Sequence, residues 1–149
     1  MKSLIILLFC FNSVVPSKWL TDMNEARQQA SQSHKLILLT FSGSDWCVPC
    51  IRLHREIFET DVFEKYSEDN LVLVNADFPR LRKNKLSKEQ IAKNDQLAQT
   101  YNPKGNFPLT ILMNANGTII KEWEGFPNET ADKFVGELDA SLHTVAINN

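Results

Sequence analysis

Cys47 and Cys50 are the residues of this chain best suited to do chemistry. They stand three positions apart in Trp46-Cys47-Val48-Pro49-Cys50, directly after the apolar run Leu36-Ile37-Leu38-Leu39-Thr40-Phe41 and the turn Ser42-Gly43-Ser44-Asp45. In a helix, positions i and i+3 share a face, and that separation suits the ~5.5–6 Å Cα spacing of an unstrained disulfide. Where a buried strand gives way to a helix, such a pair forms a reversible disulfide switch. The first cysteine falls in the opening turn of the helix. Unpaired N–H groups and the positive dipole end there favour a thiolate over a thiol. Lowering a thiol pKa from ~8.5 to ~7 corresponds to about 2 kcal/mol and raises the thiolate fraction at pH 7 from roughly 3% to about half. That change turns an inert thiol into a nucleophile. The alternatives are a structural disulfide or half of a zinc site, and both need partners that this sequence barely offers.

Pro49 lacks an N–H, which a first helical turn tolerates because that donor is unpaired anyway. His54 follows Cys50 by four positions and Cys47 by seven, so all three can share a helix face. Zinc would still need a fourth ligand, and a lone histidine in a helix reads as structural or solvated.

The elements that must position these residues can be read from periodicity. Thr21 to Ser33 reads as an amphipathic helix, with Thr21 or Asp22 as its cap and Glu25 in its first turn. Residues 36–41 are apolar without alternation, as a fully buried strand is. A helix follows from about Val48 to Tyr66, turning Ile51, Leu53, Ile57, Phe58 and Val62 inward, with a break near Thr60-Asp61. Leu71 to Ala76 is a second buried strand. Asp77 to Lys88 carries Arg80, Arg82, Lys83, Lys85 and Lys88 without core periodicity and reads as a solvated surface loop. Ser87 to Tyr101 is helical, and Pro108 to Met113 is a strand. Asn116-Gly117 forms a tight hairpin turn, and Thr118 to Trp123 is the returning strand, which Gly125 interrupts. Asn128 caps a closing helix from Glu129 to about His143. The order α-β-α-β-α-β-β-α gives one mixed sheet with helices on both faces, an α/β domain.

With 149 residues, 43% hydrophobic and 23% charged, the chain is one globular domain. A net charge of −2 gives no global reason to expect nucleic acid. Residues 1–17 differ from the rest: Lys2 precedes Leu4-Ile5-Ile6-Leu7-Leu8-Phe9-Cys10-Phe11, a charged start and an apolar core of export-signal length. A cut after Ser17 leaves Val15 and Ser17 at the −3 and −1 positions. The expectation is an exported, periplasmic domain over 18–149, tethered to the membrane if the leader is not removed. The mature chain then keeps only Cys47 and Cys50, which makes them working parts rather than one strut of a disulfide framework.

Across residues 19–143 the chain resembles the thioredoxin family. The resemblance is carried by Trp46-Cys47-Val48-Pro49-Cys50 after a buried strand, Phe107-Pro108 opening the third strand, Asn116-Gly117 in the hairpin and Gly125 after the last strand. The leader Trp19-Leu20-Thr21 and the run Phe41 to Cys47 look like a subgroup of exported bacterial thioredoxin-like proteins. The resemblance implies a thioredoxin-like fold and a thiol–disulfide oxidoreductase acting on protein disulfides. Cys47 would be the exposed nucleophile and Cys50, one turn deeper, the resolving thiol. Trp46, Val48, Pro49, Phe107 and Pro108 would support the site and flank the substrate groove, with Pro108 cis. Many thioredoxins bury an aspartate on the first of these strands, where this chain has Thr40, so proton transfer at Cys50 would rely on water or another group.

Family members with proline before the second cysteine are commonly reductants, and that direction is expected here. No dissociable cofactor or metal is implied, and the protein would act as a monomer. An unidentified electron-donor protein would recycle it. The rival reading is a thioredoxin-like binding module that uses the Phe107-Pro108 groove for a partner, or the Cys47, Cys50 and His54 face for a metal, without redox turnover.

Overall fold

Strand β1 (Leu36–Ser42) lies in the middle of the sheet, which explains its uninterrupted apolar sequence. It pairs in parallel with β2 (Leu71–Asp77) and antiparallel with β3 (Leu109–Met113). Strand β4 (Ile119–Glu124) pairs with β3 and completes the four-stranded order β2-β1-β3-β4. A strand flanked on both edges and covered on both faces meets no water, so its sequence need not alternate. The computed structural model describes residues 19–147, and the expected leader over 1–17 lies outside them.

Alternate residues of β1 serve different cores. Ile37, Leu39 and Phe41 join Val74, Ala76 and Ile111 against Met23, Ala26 and Ala30 of helix α1 (Met23–Ser33). Helix α4 (Lys88–Tyr101) packs Leu97, Ala98 and Tyr101 onto the same face. Leu38 turns the other way, to Leu73, Leu112 and the helices α2 (Val48–Leu53), α3 (Asp61–Asn70) and α5 (Ala131–Ile147). There Phe58, Phe63, Trp123 and Phe134 pack as tilted and edge-on rings with centroids 4.8 to 6.4 Å apart, the geometry aromatic quadrupoles favour.

Asp22 caps α1 by accepting from the N–H groups of Asn24 and Glu25, and Ser87 caps α4. Two expectations need correction. The closing helix begins at Ala131, and its cap is Thr130, whose Oγ1 accepts from Lys133 N–H. Glu129 N–H donates to Pro127 O at 2.8 Å, a turn that keeps Asn128 ahead of the helix. The long helix after the cysteines is also not uniform. α2 runs into a π-helical turn over His54–Phe58, closed by Glu59 N–H donating to His54 O at 2.9 Å, before Thr60 caps α3. Its inward stripe is Cys50, Leu53, Ile57 and Phe58, at spacings of helical neighbours. Ile51 lies about a quarter-turn off that stripe and is 41% exposed instead of buried, while Val62 is half-buried. Leu20, just ahead of α1, extends the sheet edge. Leu20 N–H donates to Leu73 O and Asn75 N–H donates to Leu20 O.

Helix α5 is tied to β4 by Glu137, which accepts from Lys121 Nζ at 2.7 Å and Trp123 Nε1 at 2.8 Å. The Lys121 bond first, then the indole N–H, holds its carboxyl below the ordinary value of 4.5. A depressed folded pKa gives stability that is complete above 4.5 and lost as pH falls through the lowered value. Glu137→Gln should therefore lower stability at neutral pH and flatten the acid limb, so that chemical denaturation gives the variant and the protein converging stabilities as pH falls below 4.5.

Candidate active site

The C-terminal end of β1 delivers the cysteines. Trp46 N–H and Cys47 N–H both donate to Gly43 O, at 3.2 and 2.9 Å, closing a turn that places Cys47 as the N-cap of α2. Cys47 Sγ accepts from Cys50 N–H at 3.3 Å. The two sulfurs are joined as a disulfide with Cα atoms 5.2 Å apart. An N–H aimed at Cys47 Sγ also favours its ionised form once the bond opens. The sequence reading expects Cys47 exposed and Cys50 deeper. In the closed state both are covered, at 4% and 5% exposure, because each sulfur turns onto the other. Val48, between them, is 66% exposed, and Pro49 sits beside it in the first helical turn.

Trp46 lies over the turn, and Gly43 makes room for it. A Cβ at position 43 would sit 2.3 Å from the indole, closer than atoms approach without displacement. The indole N–H donates to Phe78 O at 2.7 Å, and the Arg80 guanidinium stacks on its ring at 3.6 Å. The segment carrying Phe78 and Arg80 is bound to the cysteine turn by carboxylates. Asp45 accepts from Arg80 N–H, Leu81 N–H and Asn84 Nδ2 at 2.9 to 3.0 Å. Asp77, at the end of β2, accepts from Ser44 N–H and from the hydroxyls of Ser42 and Ser44. The basic stretch, expected to be a solvated surface loop, is exposed over 81–85 and is also fastened to the cysteine turn. Neither aspartate stood out in the sequence, since their partners lie more than thirty positions away in the chain. An Asp directly before the Trp-Cys pair was the one local cue.

The Phe107-Pro108 peptide is cis, as the resemblance implies. Leu109, the next residue, pairs with Phe41, so Pro108 stands at the end of the sheet from which the cysteine turn leaves. Pro108 O accepts from Gly125 N–H at 2.8 Å, with Gly125 at φ 76°, a left-handed conformation that glycine adopts freely. Phe107 packs edge-on against Trp46 and against Phe78, with centroids 5.5 Å apart in both pairs. Trp46, Phe78, Phe107, Arg80, Arg82 and Lys85 border an open groove of about 690 Å³.

Thr40 is buried, and its register partners are Asn75 on β2 and Thr110 on β3, a row of neutral polar residues across the sheet without a carboxylate. The metal alternative gains nothing here. Cys47 and Cys50 bond each other, and His54 Nδ1 pairs with Glu59 Oε1 at 3.0 Å. Among the described residues no group of three or more His, Cys, Asp or Glu side chains is placed to hold a metal.

The family model described as a thioredoxin-like domain matches residues 23–141. The chain belongs to that family. The disulfide bond reductase DsbH of Chlamydia pneumoniae is 38% identical over 118 residues, covering 79% of this chain and 69% of that protein. The thioredoxin-related protein DsbJ of the same organism is 28% identical over 75% of this chain, which spans only 31% of DsbJ. Among solved structures, one titled DsbH oxidoreductase superposes with a TM-score of 0.78 at 27% identity, covering 95% of each chain. A thioredoxin-like chain whose paired cysteines close into a disulfide is a protein thiol–disulfide oxidoreductase.

The Asp45 carboxyl is held below its ordinary value, chiefly by the Arg80 N–H, so it stays ionised and bound to the 80–84 segment throughout the neutral range. Asp45→Ala should leave the fold intact but release that segment. In hydrogen exchange, the Arg80 and Leu81 amides should lose protection while β1 and β2 amides keep theirs. Unchanged protection at Arg80 and Leu81 would show that the wall stands without Asp45.

Proposed function

We propose that this chain is an exported reductant of protein disulfides, working through Cys47 and Cys50. The observation that carries the reading is the Cys47–Cys50 pair closed at the head of α2, with an N–H directed at Cys47 Sγ. In the reduced protein Cys47 attacks a substrate disulfide, forms a mixed disulfide and expels the first substrate thiolate. Cys50 then attacks Cys47 Sγ, closes the intramolecular bond and releases the second thiol. Two electrons pass from the dithiol to the substrate, and a donor protein must return them. The name borne by the DsbH relative supports reduction over oxidation, as does Pro49 before the second cysteine.

The groove supports a protein rather than a small disulfide as substrate. It offers the Trp46 and Phe107 rings to apolar side chains and exposes Arg82 and Lys85 on its rim. Val48, between the cysteines, and Ile51, just after them, add exposed apolar surface. The charged and apolar start of the chain supports export. Among the described residues no helix is long and apolar enough to cross a membrane.

Reduction of insulin by dithiothreitol should be accelerated by the protein and fall to the background rate in Cys47→Ser. Cys50→Ser should instead accumulate a mixed disulfide through Cys47, visible as a mass adduct. Equal turnover by the protein and Cys47→Ser would end the enzyme reading. The reduction potential of the pair, measured against glutathione, should lie at or below about −230 mV, on the reducing side of the range from thioredoxin to DsbA. A value near −120 mV would make the protein an oxidant.

A further inference from the structure

Cys50 opens onto a second cavity, of about 390 Å³. Ser42, Asn75, His54 and Glu59 line it with Cys50. It is distinct from the substrate groove, which shares none of these residues. The cavity answers a question that the reaction poses. For Cys50 to attack Cys47 Sγ in the mixed disulfide, its thiol must first lose a proton. Cys50 is 5% exposed in the closed state, and burial disfavours a thiolate unless something accepts the proton nearby. The sheet beneath offers Thr40, Asn75 and Thr110, none of which takes up a proton near neutral pH.

His54 can. It follows Cys50 by one helical turn, and its own N–H donates to Cys50 O, so the two side chains leave the same side of the helix. Its Nδ1 lies 3.0 Å from Glu59 Oε1. An ionised carboxylate only accepts hydrogen bonds, so Nδ1 carries the proton and Nε2 of the neutral ring is left as the basic nitrogen. The π-helical turn over His54–Phe58 makes this possible, because it brings Glu59, five positions on, back to His54. Trp19 and Phe58 flank the imidazole with centroids 6.0 and 6.2 Å away. The cavity has mixed polar and apolar walls and is large enough to hold water between the two side chains.

We propose that His54, oriented by Glu59, takes the Cys50 proton through water in this cavity during resolution of the mixed disulfide. The proton leaves Cys50 Sγ for water, and water passes a proton to Nε2. The Cys50 thiolate forms the bond to Cys47 Sγ, and the bond between Cys47 and the substrate sulfur breaks with its electron pair on the leaving thiolate. The imidazolium returns its proton through water to that thiolate or to solvent. Glu59 is a positioning residue: it fixes the tautomer and never meets the sulfur. The charged groups around His54 are Glu59, Arg55 on the same turn, and Asp77 behind the Ser42 and Ser44 hydroxyls.

The inference rests on the redox reading above, and one experiment separates the two. The reduced full-length protein is mixed with 5,5′-dithiobis(2-nitrobenzoate) in a stopped-flow instrument between pH 5 and 9. The first burst of thionitrobenzoate reports attack by Cys47, and the second release reports attack by Cys50. No burst at all would sink the redox reading itself. With the burst present, His54→Gln should slow the second release roughly a hundredfold at pH 7, the lower end of what a general base contributes, and move its pH midpoint upward. Glu59→Gln should change it in the same direction by less, and neither variant should alter the first burst. A second phase with the protein's own rate and pH profile in both variants would overturn the proposal. So would equal slowing of both phases, since that marks a general structural defect.

Discussion

Strand β1 is wrapped on both edges and both faces, and the rest of the molecule is arranged around that burial. A strand so enclosed must leave the sheet abruptly when its apolar run ends. It does so through a turn whose two N–H groups converge on the Gly43 carbonyl. The exit sets the start of α2, and with it the one position in the helix where a sulfur can sit against free backbone donors. Phe41, the last fully buried residue of the strand, lies opposite Leu109, which brings the cis-proline loop to the same end of the sheet. Core packing and reactive geometry are thus one arrangement.

Carboxylates then fasten what the core alone would leave loose. Asp77 binds the turn from β2, and Asp45 binds the segment after β2 from the turn, so the two connections hold each other. Each bond is charge-assisted, and three of the four are made to backbone N–H groups, which restricts direction as well as distance. Exposed ion pairs such as Arg52–Glu56 or Lys93–Glu89 have no such reach and contribute little by comparison. The outcome is an aromatic and basic groove next to Trp46 and a separate, smaller cavity of mixed walls that reaches Cys50.

Much of this was legible in the chain itself. Apolar runs, a cap at Thr21 or Asp22, the Asn116-Gly117 turn and the cysteine spacing specify local geometry, because propensity and periodicity act over a few residues. They gave the order of elements, the location of the redox pair and the family resemblance that pointed to a cis Pro108. Where local signals competed, the reading slipped. Asn128 and Thr130 are both good caps, and only the turn at Pro127 chooses between them. Ile51 is as apolar as Leu53, but the stripe set by Cys50, Leu53 and Ile57 leaves it outside.

What the sequence alone determined is therefore the chemistry available: two thiols, a helix to carry them and a sheet to bury. Tertiary structure decided which side chains surround that chemistry. Asp45 meets Arg80, and Asp77 meets Ser44, across more than thirty positions of chain. Glu59 meets His54 only because one turn of helix widens. Such meetings depend on where distant backbone segments come to rest, and that is settled by the collective burial of two cores rather than by any preference encoded near the residues themselves.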